Sequence, residues 1–262
     1  VNILKRIYRK EQDGVTLAEL LVGMTISSVL LIAVFKIFTQ QQTAFENLND
    51  STLIRAKGRL AIKLLTKEIR MAGHGMPKNA GIVDFKTNSI TFQVGGTSTT
   101  TPPGSAATKV IAGGAKSLNV VSATGFADGN NLVINDPAIG TTEFVEIDGD
   151  PDTASDPNTL PLDEAVVQDF VYGVNSKLVT VTSYSTIKIF LKNSNVVKTV
   201  DGQEVTVIQD VSSGDGLSFD FNGAAETSAI EKVGITLKLK DPDNTQATIN
   251  FKSDITFRNQ RS

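Results

Sequence analysis

From Val15 to Phe35 the chain is apolar or small almost without a break, contains no proline, and carries one charged residue, Glu19. As a helix this run rises about 31 Å, the hydrocarbon thickness of a bilayer. In lipid a helix satisfies its own backbone hydrogen bonds, which few other structures can do. Lys5, Arg6, Arg9 and Lys10 precede the run. Their placement predicts a cytoplasmic N-terminal side, with the bulk of the chain on the other side. Two rivals fit less well. A cleaved secretory signal needs a small-x-small site after the apolar run, yet the exit reads Lys36-Ile37-Phe38-Thr39-Gln40-Gln41-Gln42. A buried core helix is rarely this uniformly apolar over such a length.

The helical pattern continues past Phe35. No proline occurs before Pro77, and Leu53, Ile54, Ala61, Leu64, Leu65, Ile69 and Ala72 recur three to four residues apart. That spacing predicts one amphipathic face. Gly73-His74-Gly75-Met76-Pro77 then supplies glycines for a C-cap and a proline that ends the helix. A continuous helix from Val15 to Ala72 would be about 87 Å long.

The rest alternates apolar and polar residues in short runs, the pattern of half-buried antiparallel strands. Examples are Ser89–Val94, Leu132–Ile134, Glu143–Ile147, Thr186–Leu191, Glu204–Ile208, Leu217–Phe221, Gly234–Leu239 and Thr248–Phe251. Asp128-Gly129, Asp148-Gly149, Asp201-Gly202 and Asp241-Pro242 mark turns. The Thr/Gly/Pro-rich stretch 95–105 reads as an exposed loop. The expected fold class is α+β: a long N-terminal helix packed on an antiparallel sheet. Four segments are expected: a basic leader (1–14), a membrane and assembly half of the helix (15–35), an amphipathic half (36–75) and a β-rich head (76–262).

Composition narrows the chemistry. The chain has no cysteine and one histidine, so disulfides and multi-histidine metal sites are out of reach. A net charge of −3 gives no bulk attraction to nucleic acid. No nucleophile–base pair, phosphate loop or metal set is visible. The expectation is a non-enzyme without a cofactor.

The junction at residues 13–19 raises a separate question: why does a membrane-competent run carry a carboxylate near its start? A cut after Gly14 would make Val15 the new terminus, and a free α-amine is cationic at neutral pH. Glu19 lies one helical turn on, so amine and carboxylate, each costly alone in a bilayer, offset each other within or between chains. Glu19 also suits the positive end of the helix dipole.

Gly14-Val15-Thr16-Leu17-Ala18-Glu19-Leu20-Leu21-Val22 resembles the class III signal of type IV prepilins and pseudopilins: a basic leader ending in Gly, a hydrophobic first mature residue, and Glu at the fifth mature position. Val15 stands where that family usually has Phe. The resemblance implies cleavage between Gly14 and Val15 by a prepilin peptidase, N-methylation of Val15, and pairing of Glu19 with a neighbouring subunit's N-terminal amine. Gly58–Gly75, ending Arg70-Met71-Ala72-Gly73-His74-Gly75, resembles the matching segment of PilW-like minor pilins. Thr124–Asn130, Val233–Leu237 and Ile255–Asn259 resemble its later turns and closing strands more loosely. Implied partners are other minor and major pilins, the peptidase, an inner-membrane assembly platform and membrane lipid. The implied location is the inner membrane with a periplasmic head, then the surface pilus, near the tip. Alternatives are a J-type pseudopilin of type II secretion and an adhesin or DNA-capture subunit.

Three weaker candidates remain. Arg55, Arg59, Lys63, Lys67 and Arg70 form a cationic row that reads either as a stripe for DNA or a partner subunit, or as a solvated face. Without interleaved aromatics, nucleic acid is the less favoured occupant. Asp148, Asp150 and Asp152 invite a calcium reading, but Thr153 and Thr159 stand where an EF-hand needs Gly and Glu. His74 reads as structural or merely exposed, Gly23 as a point of close helix approach, and Gly58 as a bend where helix meets head.

Overall fold

The computed structural model describes residues 14–103, 108–151, 156, 158–172, 178–240 and 248–257. By internal contact the chain divides into two units, Val1–Leu53 and Ile54–Ser262. One α-helix, α1 (Leu17–Arg70, 54 residues), contributes to both. It is long and apolar enough near its N-terminus to cross a membrane, and none of that window is buried.

In the second unit α1 buries Gly58, Ala61, Leu65 and Ile69. Their spacing of three, four and four keeps one stripe toward the core. Leu53 and Leu64, expected on that face, are exposed. At about 100° per residue each falls roughly a quarter turn or more away from the buried stripe. Beyond Arg70 the chain tightens into turns: Ala72 N–H donates to Ile69 O and His74 N–H to Met71 O. The exit is then fastened to a strand by Gly73 N–H on Gln93 O (2.8 Å) and Gly95 N–H on His74 O (2.7 Å). A Cβ at Gly95 would lie 2.9 Å from the Gly75 carbonyl carbon, so this fastening needs glycine.

The strands are β1 (Ile82–Lys86), β2 (Ser89–Thr100), β3 (Thr108–Ile111), β4 (Ser117–Asn119), β5 (Asn131–Asp136), β6 (Thr141–Glu146) and β7 (Thr159–Pro161). They continue with β8 (Phe170–Tyr172), β9 (Thr180–Lys192), β10 (Asn195–Val200), β11 (Gln203–Ile208), β12 (Leu217–Asp220), β13 (Lys232–Lys240) and β14 (Thr248–Thr256). A seven-stranded sheet runs β1-β2-β9-β10-β11, with β5 pairing both β6 and β9. A three-stranded sheet runs β12-β13-β14, and two small sheets pair β3 with β8 and β4 with β7. All the pairings are antiparallel. The layout is the expected α+β class.

Of the stretch 95–105 expected to loop out, residues 95–100 instead extend β2, 101–103 lie outside any strand, and 104–105 fall outside the described residues. Ser98, Thr99 and Thr100 pair with Thr182, Val181 and Thr180 of β9 after a register shift between Gly95 and Ser98. The irregularity at the glycines lets a Thr-rich strand resume pairing. The Asp201-Gly202 turn between β10 and β11 has φ of 48° and 85°, the left-handed pair of a tight hairpin. The turn expected at Asp241–Asn244 lies outside the described residues.

Two hydrophobic cores fill the second unit. One joins Ala61, Leu65 and Ile69 to the seven-stranded sheet through Ile90, Phe92 and Ile189, and to the three-stranded sheet through Val233, Ile235 and Ile255. The other gathers Leu118, Leu132, Ile134, Leu160, Phe170 and Val181 under the small sheets.

Candidate assembly site at the helix N-terminus

Helix α1 begins at Leu17, which makes Thr16 its N-cap and Glu19 its third residue. The two side chains cap each other. Thr16 N–H and Thr16 Oγ1–H each donate to Glu19 Oε2 at 3.0 Å, and Glu19 N–H donates to Thr16 Oγ1 at 3.3 Å. This is a capping box, which satisfies backbone donors that the first helical turn leaves open. Its signal, Thr16 and Glu19 in T-x-x-E spacing ahead of an apolar run, stands in the sequence. Among the described residues Glu19 Oε1 takes none of these bonds, and Glu19 is exposed. Gly14 and Val15 precede the cap and are exposed. Cleavage between them would leave the Val15 amine next to this carboxylate.

The run behind the cap is suited to lipid or to neighbouring helices. Leu17, Leu21, Val29, Leu31, Ile32 and Phe35 are all more than half exposed. The hydroxyls of Thr25 and Ser28 donate to Val22 O (2.8 Å) and Met24 O (2.7 Å). Internal bonds of this kind remove the cost of carrying hydroxyls into hydrocarbon. Apart from its neighbours and its own turn of helix, no atom of the described residues comes within 4 Å of a Cβ at Gly23, so its flank is open to close approach.

Gly58, the position expected to bend, lies inside the continuous helix α1 and is buried. A Cβ there would overlap the Phe251 ring of β14. The glycine is a seat for that ring, which explains a residue unfavourable by about 1 kcal/mol in a helix. Thr66 Oγ1–H donates to Ser253 Oγ at 3.0 Å, and Lys198 Nζ of β10 donates to Glu68 Oε2 at 2.7 Å. Lys57 pairs with Asp210 at 2.7 Å.

Arg55, Arg59, Lys63, Lys67 and Arg70 are exposed. Among the described residues none of them forms an ion pair. Lys252 of β14 joins Lys63, Lys67 and Arg70 around a hollow of about 410 Å³. Sequence reasoning missed Lys252, since only strand pairing brings residue 252 beside the helix.

In the aspartate-rich loop, Asp150 Oδ1 accepts from Asp128 N–H (3.1 Å), and Asp128 Oδ1 accepts from Gly149 N–H (2.6 Å). These carboxylates bind two turns together. Among the described residues no three His, Cys, Asp or Glu side chains gather as a metal set. Asp152 lies outside the described residues. His74 is exposed, and its backbone, not its ring, makes the bonds at the helix exit.

With this geometry in view, residues 9–35 match the family model for the prokaryotic N-terminal methylation motif. The match spans Arg9, Lys10, Gly14, Val15, Glu19 and the apolar run. It supports a type IV pilin-like class III signal and is consistent with a type IV pilin or pseudopilin anchored in the cell envelope. No curated protein matches the chain. Among solved structures, the Gp54 tailspike of Acinetobacter baumannii bacteriophage AP22, in complex with A. baumannii capsular saccharide, is 17% identical over 36% of this chain and 15% of that one, with a TM-score of 0.24. A likeness that slight carries no argument.

Proposed function

We propose that this chain is a PilW-like minor type IV pilin. Its leader, residues 1–14, is removed between Gly14 and Val15, and Val15 is then N-methylated. The mature subunit waits in the inner membrane through residues 15–35 with its head, residues 76–262, in the periplasm. It then joins other minor pilins to prime filament growth and stays near the tip. Glu19 pairs with the N-terminal amine of a neighbouring subunit as the helix leaves lipid for a bundle of helices. Apolar contact is kept in that transfer, and two charges costly in a bilayer neutralise each other.

The observation that carries this reading is the coincidence of the methylation motif over residues 9–35 with a capped helix whose Glu19 keeps one carboxylate oxygen open. The PilW-like assignment rests further on the resemblance of Gly58–Gly75. The test is N-terminal peptide mass spectrometry on native cells, comparing membranes with sheared surface filaments. The expected species is a chain beginning at methylated Val15 in the filaments. The same terminus confined to membranes, with secretion lost on deletion, would assign the chain to a type II pseudopilin instead. An uncut leader in cells with active peptidase would overturn the reading.

A further inference from the structure

Along α1, Arg55, Arg59, Lys63, Lys67 and Arg70 follow one another at intervals of four, four, four and three residues. This places them along about 22 Å of helix. Like charges at i, i+4 destabilise a helix, and among the described residues no carboxylate pairs with any of them. The other charges of this stretch do have partners: Lys57 meets Asp210 and Glu68 meets Lys198. The helix therefore sends its paired charges to the head and leaves an unpaired row outward.

A second observation concerns the residues beside that row. Leu60 follows Arg59, Leu64 follows Lys63 and Met71 follows Arg70. These apolar side chains are 70%, 36% and 41% exposed. Their spacing of four and seven places them on one seam, parallel to the cations. An apolar seam flanked by one sign of charge is the pattern by which paired helices choose partners.

We infer that this face of α1 docks a helix of a different subunit, one with an apolar seam flanked by Asp or Glu. A second copy in register would set the cations against themselves. A copy shifted along the axis would bring only Glu46 and Asp50 from the stretch between Lys36 and Lys57 against five cations. A nucleic acid would use the cations but leave the leucines wet, and no aromatic side chain interleaves the row for base stacking. The face thus selects for mixed assembly and against self-pairing. This deepens the assembly reading above, and it can fail separately from it.

The chain has no cysteine, so Leu64→Cys in the full-length protein gives a single crosslinking point in membranes of native cells. With a maleimide–diazirine reagent, whose maleimide adds to the introduced thiol and whose photolysed carbene inserts into any nearby C–H, N–H or O–H bond, the expected product is a heterodimer whose linked peptide carries Asp or Glu three or four residues from the linked position. Arg59→Glu/Lys63→Glu/Lys67→Glu lowers that product at least tenfold, and exchanging the partner's acids for lysine restores it. These side chains are exposed, and an unchanged melting transition verifies folding; Lys63→Gln/Lys67→Gln replaces the reversal if the transition moves. A homodimer as the main product, or a heterodimer indifferent to charge reversal, overturns the inference. So does a tenfold loss of binding to a 20-base-pair DNA duplex in the reversal variant with the crosslink unaffected. Charge-dependent crosslinking of a chain with an uncut leader would keep this face and remove the pilin reading. Methylated Val15 in filaments without the crosslink would do the opposite.

Discussion

Glu19 Oε2 accepts two hydrogen bonds from Thr16, one from its N–H and one from its hydroxyl, while Oε1 accepts neither. One carboxylate therefore has two separable roles, capping its own helix and offering charge to a neighbour. Glu19→Gln retains the capping box, since glutamine serves at the same position, but removes the charge. Thr16→Val removes the hydroxyl and leaves the charge. The expectation is that Glu19→Gln and Glu19→Ala both cut incorporation into filaments, with the head still folded. Thr16→Val should instead weaken the first turn by about 1 kcal/mol, speeding amide exchange at Glu19 and Leu20, whose N–H groups are bonded to Thr16, about fivefold. Normal incorporation of Glu19→Gln, read by immunoblot of sheared filaments, would sink the charge-pairing mechanism.

Leu64 and Leu65 are neighbours with opposite surroundings. Leu65 is buried against both sheets and Leu64 is on the outer face. Leu65→Ala should destabilise the protein by about 2–5 kcal/mol, the range for a leucine cavity. Leu64→Ala should stay within about 0.5 kcal/mol. Denaturant unfolding of the full chain in detergent, followed by a head-specific signal, measures both. Equal losses would mean that the helix is rotated from the orientation described.

Gly58 and Phe251 form a second test of helix placement. Gly58→Ala drives a methyl into the Phe251 ring. Overpacking of this kind costs about 1–3 kcal/mol, although alanine alone would favour the helix by about 1 kcal/mol. Adding Phe251→Leu should recover much of the loss, and a double-mutant cycle should show coupling above about 0.5 kcal/mol. Additive effects would mean that the ring does not rest on the glycine.

Some of this was legible in the sequence and some was not, for physical reasons. The apolar run and the strands with strict alternation were, because burial imposes the period directly: Ile235, Leu237 and Leu239 of β13 are all buried, as alternation requires. Leu53 and Leu64 were misplaced because a loose three-to-four spacing accepts residues from neighbouring stripes, and only the packed sheets choose between them. β3, β4, β7 and β8 span three or four residues each, too few for a period to emerge. The Thr-rich end of β2 looked like a loop because its pairing partner lies some eighty residues away in β9. The Thr16–Glu19 cap was written in adjacent residues and needed only the rule to be applied. Lys252, by contrast, joins the cationic row through sheet pairing that no local pattern carries.

Tyr184 of β9 lies edge-on to Phe144 of β6, with ring centroids 5.6 Å apart and planes at 86°. Burial raises its phenol above the ordinary tyrosine value, and the negative charges of Asp201 and Glu146 raise it further. A folded-state value above the unfolded one means that the neutral phenol's contribution is fully present below about pH 10. That contribution is lost as pH rises through the raised value. Tyr8 and Tyr172 are the other two tyrosines, so a background with both changed to Phe isolates Tyr184 in an absorbance titration. Its midpoint should lie above about 10. Asp201→Asn keeps the oxygen that accepts from Thr186 N–H and, combined with Glu146→Gln, should lower the midpoint only in part. Phe144→Ala, which uncovers the ring on the side of this neighbour, should lower it as well. An unchanged midpoint in Phe144→Ala would show that this neighbour contributes nothing to the burial of the phenol.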